Sequence, residues 1–286
     1  MNDMDGRAQA GPVLPDEIPG FANFGHITLR GVRNTRDLGG LPTADDKVIA
    51  PGRLIRSGDL HKATDEDIEL LRDGHGLARV VDFRTAAERE GAPDPQDRMQ
   101  GVNFSDLPVF TEAAVGITHE GGAAGDLAAL REFTGNARET IRGLYRTCLL
   151  GEEGKDAYRA FFRELLAAED GATLWHCTEG KDRAGIGSVL VEYALGVPMA
   201  YIRADYLATN LFVRGKAEEI LDTLGGHGLL RHVDLDIDSI FYAYPDYLYA
   251  ALEAVEQECG GLDAYLAAVL GVGDAERQRL RELYVE

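Results

Sequence analysis

A chain of 286 residues with 45% hydrophobic content is long enough to bury a large core in one or two domains. Its formal net charge of −20 excludes nucleic acid and anionic membrane surfaces as partners of the whole molecule. The same charge repels a phosphorylated ligand at long range, so an anion site here must work through local donors. Three cysteines, Cys148, Cys177 and Cys259, odd in number and far apart, argue against a disulfide framework and for a reducing, cytoplasmic setting. No apolar run approaches the roughly 20 residues that would allow stable membrane insertion.

In chain order, residues 1–20 are polar and rich in Gly and Pro without an apolar centre, and read as a flexible tail, not a signal peptide. Residues 27–29 alternate apolar and polar as a short strand does, and lead into Arg33, Asn34, Arg36, Asp37 and the Gly39-Gly40 turn. Residues 52–58 read as a second short strand ended by Ser57-Gly58, and Arg33, Arg36, Asp37 and Arg56 read as a surface ion-pair network fixing this hairpin. Thr64 with acids at 65–67 is an N-cap, so a helix starts there and stops by Gly74-His75-Gly76. Residues 77–84 form a β-rich run whose charged end, Asp82 and Arg84, falls where loops gather in an open α/β sheet. Asp82 is therefore a candidate general acid, with pairing to Arg84 or Arg56 as the alternative.

Residues 91–100 form a polar loop, 102–107 a further strand, and 111–125 a Gly- and Ala-rich stretch expected to be mobile. Gly135-Asn136 caps a helix through Leu149, and 158–167 form another with Phe161, Phe162, Leu165 and Leu166 inward; Cys148 reads as core packing.

Residues 172–175 are a buried strand, and 186–195 repeat apolar residues at helical spacing. Between them lies His176-Cys177-Thr178-Glu179-Gly180-Lys181-Asp182-Arg183. In a strand-loop-helix the loop N–H groups and the helix N-terminus converge on one point, a nest for a dianion. Cys177 in that field is expected to have a thiol below the value of about 8.5 of a free cysteine. Arg183 offers a planar fork for two phosphate oxygens, and His176 can orient the cysteine through the backbone. Beyond Gly196-Val197-Pro198, a helix from about 201 to 224 ends at Gly225-Gly226, and two more helices close the chain.

The loop His-Cys-x-x-Gly-Lys-Asp-Arg-x-Gly resembles the cysteine-dependent tyrosine and dual-specificity phosphatases of bacteria, of the mycobacterial PtpB-like type. The Asn34-x-Arg36-Asp37-Leu38-Gly39-Gly40, Arg56-Ser57-Gly58, Asp82-x-Arg84 and Asp205-Tyr206-Leu207 blocks resemble elements of the same branch. The resemblance implies an α/β, protein tyrosine phosphatase-like fold: a central, mostly parallel sheet flanked by helices. A helical lid over residues 198–243 and a C-terminal helical cap complete it, within a single phosphatase domain spanning 21–286. It implies phosphate-ester hydrolysis without metal or cofactor, Cys177 attacking phosphorus to give a phosphocysteine, with Thr178, Glu179, Gly180, Lys181, Asp182 and Arg183 around the phosphate. Asp182 or Asp82 would be the acid, and a phosphorylated protein or a phosphoinositide the substrate; Lys181 keeps the lipid headgroup open. Ala184 departs from the Ser or Thr usual after the arginine, which should slow hydrolysis of the intermediate unless Thr178 or Ser188 substitutes. Glu179 is expected to point to solvent. Two other readings remain: a weakened phosphatase that only binds phosphorylated ligands, and a rhodanese-like sulfurtransferase.

Overall fold

The computed structural model describes residues 12–111, 137–226 and 237–286, with 214–226 and 237 as backbone. The first part of the expected tail, the stretch beyond residue 111, the Gly135-Asn136 cap and the middle of the expected lid lie outside the described residues.

Five strands, β1 (Arg36–Asp37), β2 (Leu54–Ser57), β3 (Leu77–Asp82), β4 (Asn103–Asp106) and β5 (Ala172–His176), form one sheet in the order β1-β2-β5-β3-β4. All pairings are parallel except β1 with β2. The two faces are covered by different layers, which is why the central strand β5 is buried along its whole length. Leu54, Val81 and Trp175 enter a large core with the helices that follow β4. Their neighbours Ile55, Val80 and Leu174 enter a smaller core with Ile68, Leu71 and Met99.

That smaller layer starts with α1 (Asp65–Glu69), where Thr64 and Asp67 make a reciprocal capping box. A second box, Thr85 with Glu88, opens α2 (Ala86–Gly91) directly after β3. The larger layer is built by α3 (Ala137–Leu150), α4 (Glu152–Ala167), α5 (Arg183–Leu195), α6 (Met199–Gly226), α7 (Ile237–Phe241), α8 (Pro245–Cys259) and α9 (Asp274–Tyr284). Every residue of α5 except Tyr193 is buried, and a helix apolar on all sides belongs in the middle of a core. Gly196 ends it at φ +87°, a left-handed conformation suited to glycine. The chain end returns to the N-terminal half, with Ala50 N–H donating to the Tyr284 carbonyl and Glu286 N–H to that of Val48.

Two expectations need correction. Residues 27–29 form no strand: His26 alone bridges to Arg36, and the N–H groups of Arg30 and Gly31 donate to the Asp67 carboxylate at 2.7 and 2.8 Å, so a side chain takes the place of a neighbouring strand. Of the expected surface network, Arg33 is exposed, but the ion pairs of Arg36 and Arg56 lie inside the protein. Arg36 and Arg56 are fully buried and share Asp205 of α6 at 2.5 and 2.7 Å, while Asp37 accepts from Gly39 and Gly52 N–H.

Register makes the functional end of the sheet. Ser57 of β2 and Asp82 of β3 both pair with His176, the last residue of β5, so three parallel strands end at one level and the residues after each meet there. Leu174, fully buried at the centre of β5, anchors this level. Leu174→Ala should cost about 2–5 kcal/mol, read as a fall in the urea midpoint with an unchanged denaturant slope.

Candidate active site

Residues 177–182 join β5 to α5. Gly180 has φ +66°, and a Cβ there would sit 2.4 Å from the Ser57 carbonyl oxygen, so the loop can pass this close to β2 only as glycine. The outward carbonyls are held from behind. Asn34 donates through Nδ2 to the Glu179 and Gly180 oxygens at 3.2 and 3.0 Å, and Arg56 Nη2 donates to Gly180 O at 2.9 Å. The Thr178 carbonyl accepts from Asp59 N–H.

Arg183, the first residue of α5, is fully buried and bound by a carboxylate that the sequence reading did not single out as a partner. Its two Nη atoms donate to the two oxygens of Glu88 at 2.6 and 2.8 Å. Thr178 Oγ1 donates to Glu88 Oε1 at 2.6 Å, and Thr85 N–H to Oε2. Burial pushes the Glu88 carboxyl up, but the Arg183 charge and these bonds outweigh it and hold it well below the usual carboxylate range. The Thr85-x-x-Glu88 capping box was a visible signal for a helix start; nothing in its spacing points to residue 183.

Cys177 is 2% exposed. Burial pushes its thiol up; Arg183 and the Ala184 N–H pull it down, and Asp182 and Glu88 add to the rise. The expected lowering is thus not found in this arrangement, because the cost of burying the thiolate outweighs the pull of Arg183 and the Ala184 N–H. Of the hydroxyls considered as substitutes for the one Ala184 lacks, Thr178 donates to Glu88 and Ser188 to the Ala184 carbonyl at 2.9 Å. Glu179 is half-buried, not fully turned to solvent.

Asp182 and Lys181 are both buried. Tyr145 of α3 donates to Asp182 Oδ1 at 2.5 Å and accepts from Tyr206 of α6 at 2.9 Å. Lys181 Nζ lies 3.4 Å from the same oxygen and donates to the Ile240 carbonyl of α7 at 2.5 Å. Asp82 lies elsewhere. Its carboxylate accepts three bonds from the Arg84 guanidinium and one from Arg84 N–H, at 2.7–3.0 Å.

Behind the nucleophile, His176 Nε2 meets Asp94 Oδ2 at 3.0 Å and Nδ1 meets the Cys177 carbonyl at 3.2 Å. Burial lowers the His176 imidazole, but Asp94 and Asp82 prevail and raise it to about 8. Asp82, Asp94 and His176 offer ligand atoms within 4.8 Å of one another. Arg84 binds both carboxylates, so a guanidinium already fills the place a metal would take.

The candidate nucleophile, cation and acid thus share one loop at the end of a parallel sheet, and the whole-chain match decides the family. The profile of the tyrosine phosphatase family matches residues 27–286. The chain belongs to the tyrosine phosphatase family. Among relatives, a Cupriavidus necator protein named, provisionally, a tyrosine-protein phosphatase is 31% identical over 252 residues, covering 86% of this chain and 84% of the relative. The Mycobacterium tuberculosis triple specificity protein phosphatase PtpB is 29% identical over 276 residues, covering 88% and 96%. A Nostoc commune tyrosine-protein phosphatase is 25% identical over 276 residues, covering 96% and 83%. A phosphatase of this family acts on phosphorylated substrates.

The Glu88 contact yields a pH prediction. A carboxyl depressed in the folded state stabilises above the unfolded carboxylate range and loses that contribution as pH falls through and below it. Glu88→Gln should therefore cost about 3 kcal/mol at pH 7, as breaking one side of a buried pair does. The gap to wild type should narrow below about pH 4, measured by urea unfolding across the pH range.

Proposed function

We propose that this phosphatase hydrolyses phosphotyrosine by two-step phosphoryl transfer. The observation that carries the reading is the loop itself, in which Cys177 shares one strand-to-helix turn with a guanidinium already oriented by Glu88 and a carboxyl ordered by Tyr145. The Cys177 thiolate attacks phosphorus, the bond from phosphorus to the tyrosyl oxygen breaks, and the leaving oxygen takes a proton from Asp182. Water then attacks the phosphocysteine, giving its proton to the Asp182 carboxylate, and phosphate leaves. Arg183 and the N–H groups of residues 178–183 hold the equatorial oxygens. His176 supports the cysteine from behind.

Asp182 is the acid in this reading and Asp82 is not. Asp82 is held by four bonds from Arg84, an arrangement suited to an ionised acceptor that orients a loop. A single domain over 21–286 carries the reaction in this reading, with residues 198–243 as a lid, a role that the Lys181 bond to Ile240 and the burial of Cys177 support. The cysteine content supports a cytoplasmic location. Among the described residues no helix is long and apolar enough to cross a membrane. Lys181, a second cation beside Arg183, supports a phosphoinositide as a further substrate; a panel of phosphotyrosine, phosphoserine and phosphoinositides sorts these classes.

Cys177→Ser should abolish turnover while retaining phosphate-ester binding, and residual activity above a few per cent would remove Cys177 from the mechanism. Asp182→Asn should cut kcat on phosphotyrosine far more than on an activated aryl phosphate whose leaving group needs no proton; the same dependence in Asp82→Asn instead would reverse the assignment. With Thr178 and Ser188 committed elsewhere, hydrolysis of the phosphocysteine should limit turnover. A stopped-flow burst of product should precede a slower steady state, and Ala184→Ser should raise the steady rate more than the burst rate.

A further inference from the structure

Among the described residues, Glu192 of α5 is an acid that the reaction above leaves without a task. It is fully buried, and neither of its side-chain oxygens accepts a bond from any N–H or O–H group. An ionised carboxylate in that condition is costly, since it has lost water and gained no donor.

The charge that acts on Glu192 most strongly is that of another acid, Asp205 on α6. Asp205 has its own partners: Arg36 of β1 takes Oδ1 at 2.5 Å and Arg56 of β2 takes Oδ2 at 2.7 Å. A buried acid with no donor of its own and a like charge nearby keeps its proton. The charged groups facing Glu192 are Asp205 from α6, Arg56 from β2 and Arg36 from β1. Arg277 and Arg281 of α9 are engaged further along, on the carbonyls of Tyr193, Ala194 and Leu195 and on Asp263 and Asp45. Burial first, then the Asp205 charge, raises the Glu192 carboxyl well above its ordinary range against the pull of Arg56 and Arg36.

We propose that Glu192 is a neutral, proton-bearing acid at neutral pH, leaving the Arg36, Arg56, Asp205 and Glu192 cluster with one net positive charge directly behind the phosphate loop. The link to the loop is Arg56, which donates to Gly180 O at 2.9 Å with one Nη and reaches Asp205 with the other, while its Nε is buried with no acceptor. An ionised Glu192 beside that idle donor would compete for Arg56. The retained proton keeps Arg56 on the loop carbonyl and keeps a positive field behind bound phosphate.

The sign of the linkage follows. A carboxyl raised in the folded state contributes fully below its unfolded value of about 4.3 and loses that contribution as pH climbs toward its folded value, by about tenfold in the folding equilibrium per pH unit. Glu192→Gln keeps the shape but has no proton to lose.

Three measurements test this. Infrared spectra of wild type with carbon-13 glutamate should show, at pH 7, a protonated carboxyl band that shifts with the label; its absence overturns the proposal without any variant. Between about pH 5 and 7, wild type should lose stability relative to Glu192→Gln by about tenfold per unit in the unfolding constant; parallel profiles overturn it. Tungstate, a dianion throughout this range, should inhibit wild type and Glu192→Gln within twofold at pH 7. Tighter inhibition by about tenfold would mean that Gln had removed a negative charge, so Glu192 was ionised. The first two readouts do not depend on the phosphatase mechanism, so they fail separately from it.

Discussion

A loop that turns its N–H groups toward an anion must turn its carbonyls the other way, and here the other way is the protein interior, where an unpaired carbonyl is costly. The rest of the structure answers that constraint. Asn34 and Arg56 reach the Glu179 and Gly180 oxygens, which requires the entry segment to lie beside β5. Arg56, being buried, requires Asp205, and Asp205 requires α6 to cross behind the loop. Conformational freedom at Gly180 and close approach at Ser57 complete the fit.

The same logic governs the charges. Four arginines, Arg36, Arg56, Arg84 and Arg183, are among the largest fully buried side chains, and each has a carboxylate partner: Asp205 for the first two, Asp82 and Asp94 for Arg84, Glu88 for Arg183. Such pairs add little net stability once desolvation is counted, yet removing one member is expensive. What they supply is geometry. Glu88 fixes Arg183 as a flat fork, and the Arg84 pair with Asp82 and Asp94 holds the imidazole of His176 against the Cys177 carbonyl. A molecule of net charge −20 thereby keeps these four cations at the end of the sheet where the candidate site lies.

Burial of the candidate nucleophile sets the functional tension. Cys177, Lys181, Asp182 and Arg183 are nearly inaccessible, with Lys181 tied to α7 and Asp182 to Tyr145 of α3, which in turn accepts from Tyr206 of α6. Desolvation that raises the free thiol would also strengthen every contact to a bound dianion, so one enclosure opposes the resting thiolate and favours the charged complex.

The sequence by itself determined the strand, loop and helix around Cys177, because apolar periodicity, glycine placement and the Cys-x5-Arg spacing are local properties of the chain. It determined β2, β3 and α1 for the same reason, through Ser57-Gly58, the Asp82 terminus and the Thr64 cap. Apart from Asp82 with Arg84, neighbours in the chain, tertiary structure alone decided which carboxylate serves which arginine. Glu88 announced itself only as a capping residue, Asp205 only as part of a helical block, and Tyr145 as one more core aromatic, since partners separated by 37 to 169 positions leave no mark in a local pattern. It also decided that residues 27–29 stay out of the sheet and that Arg36 and Arg56 are inside, while Arg33 stays on the surface. A charged side chain far from its partner in sequence looks solvent-facing until the fold brings the partner to it.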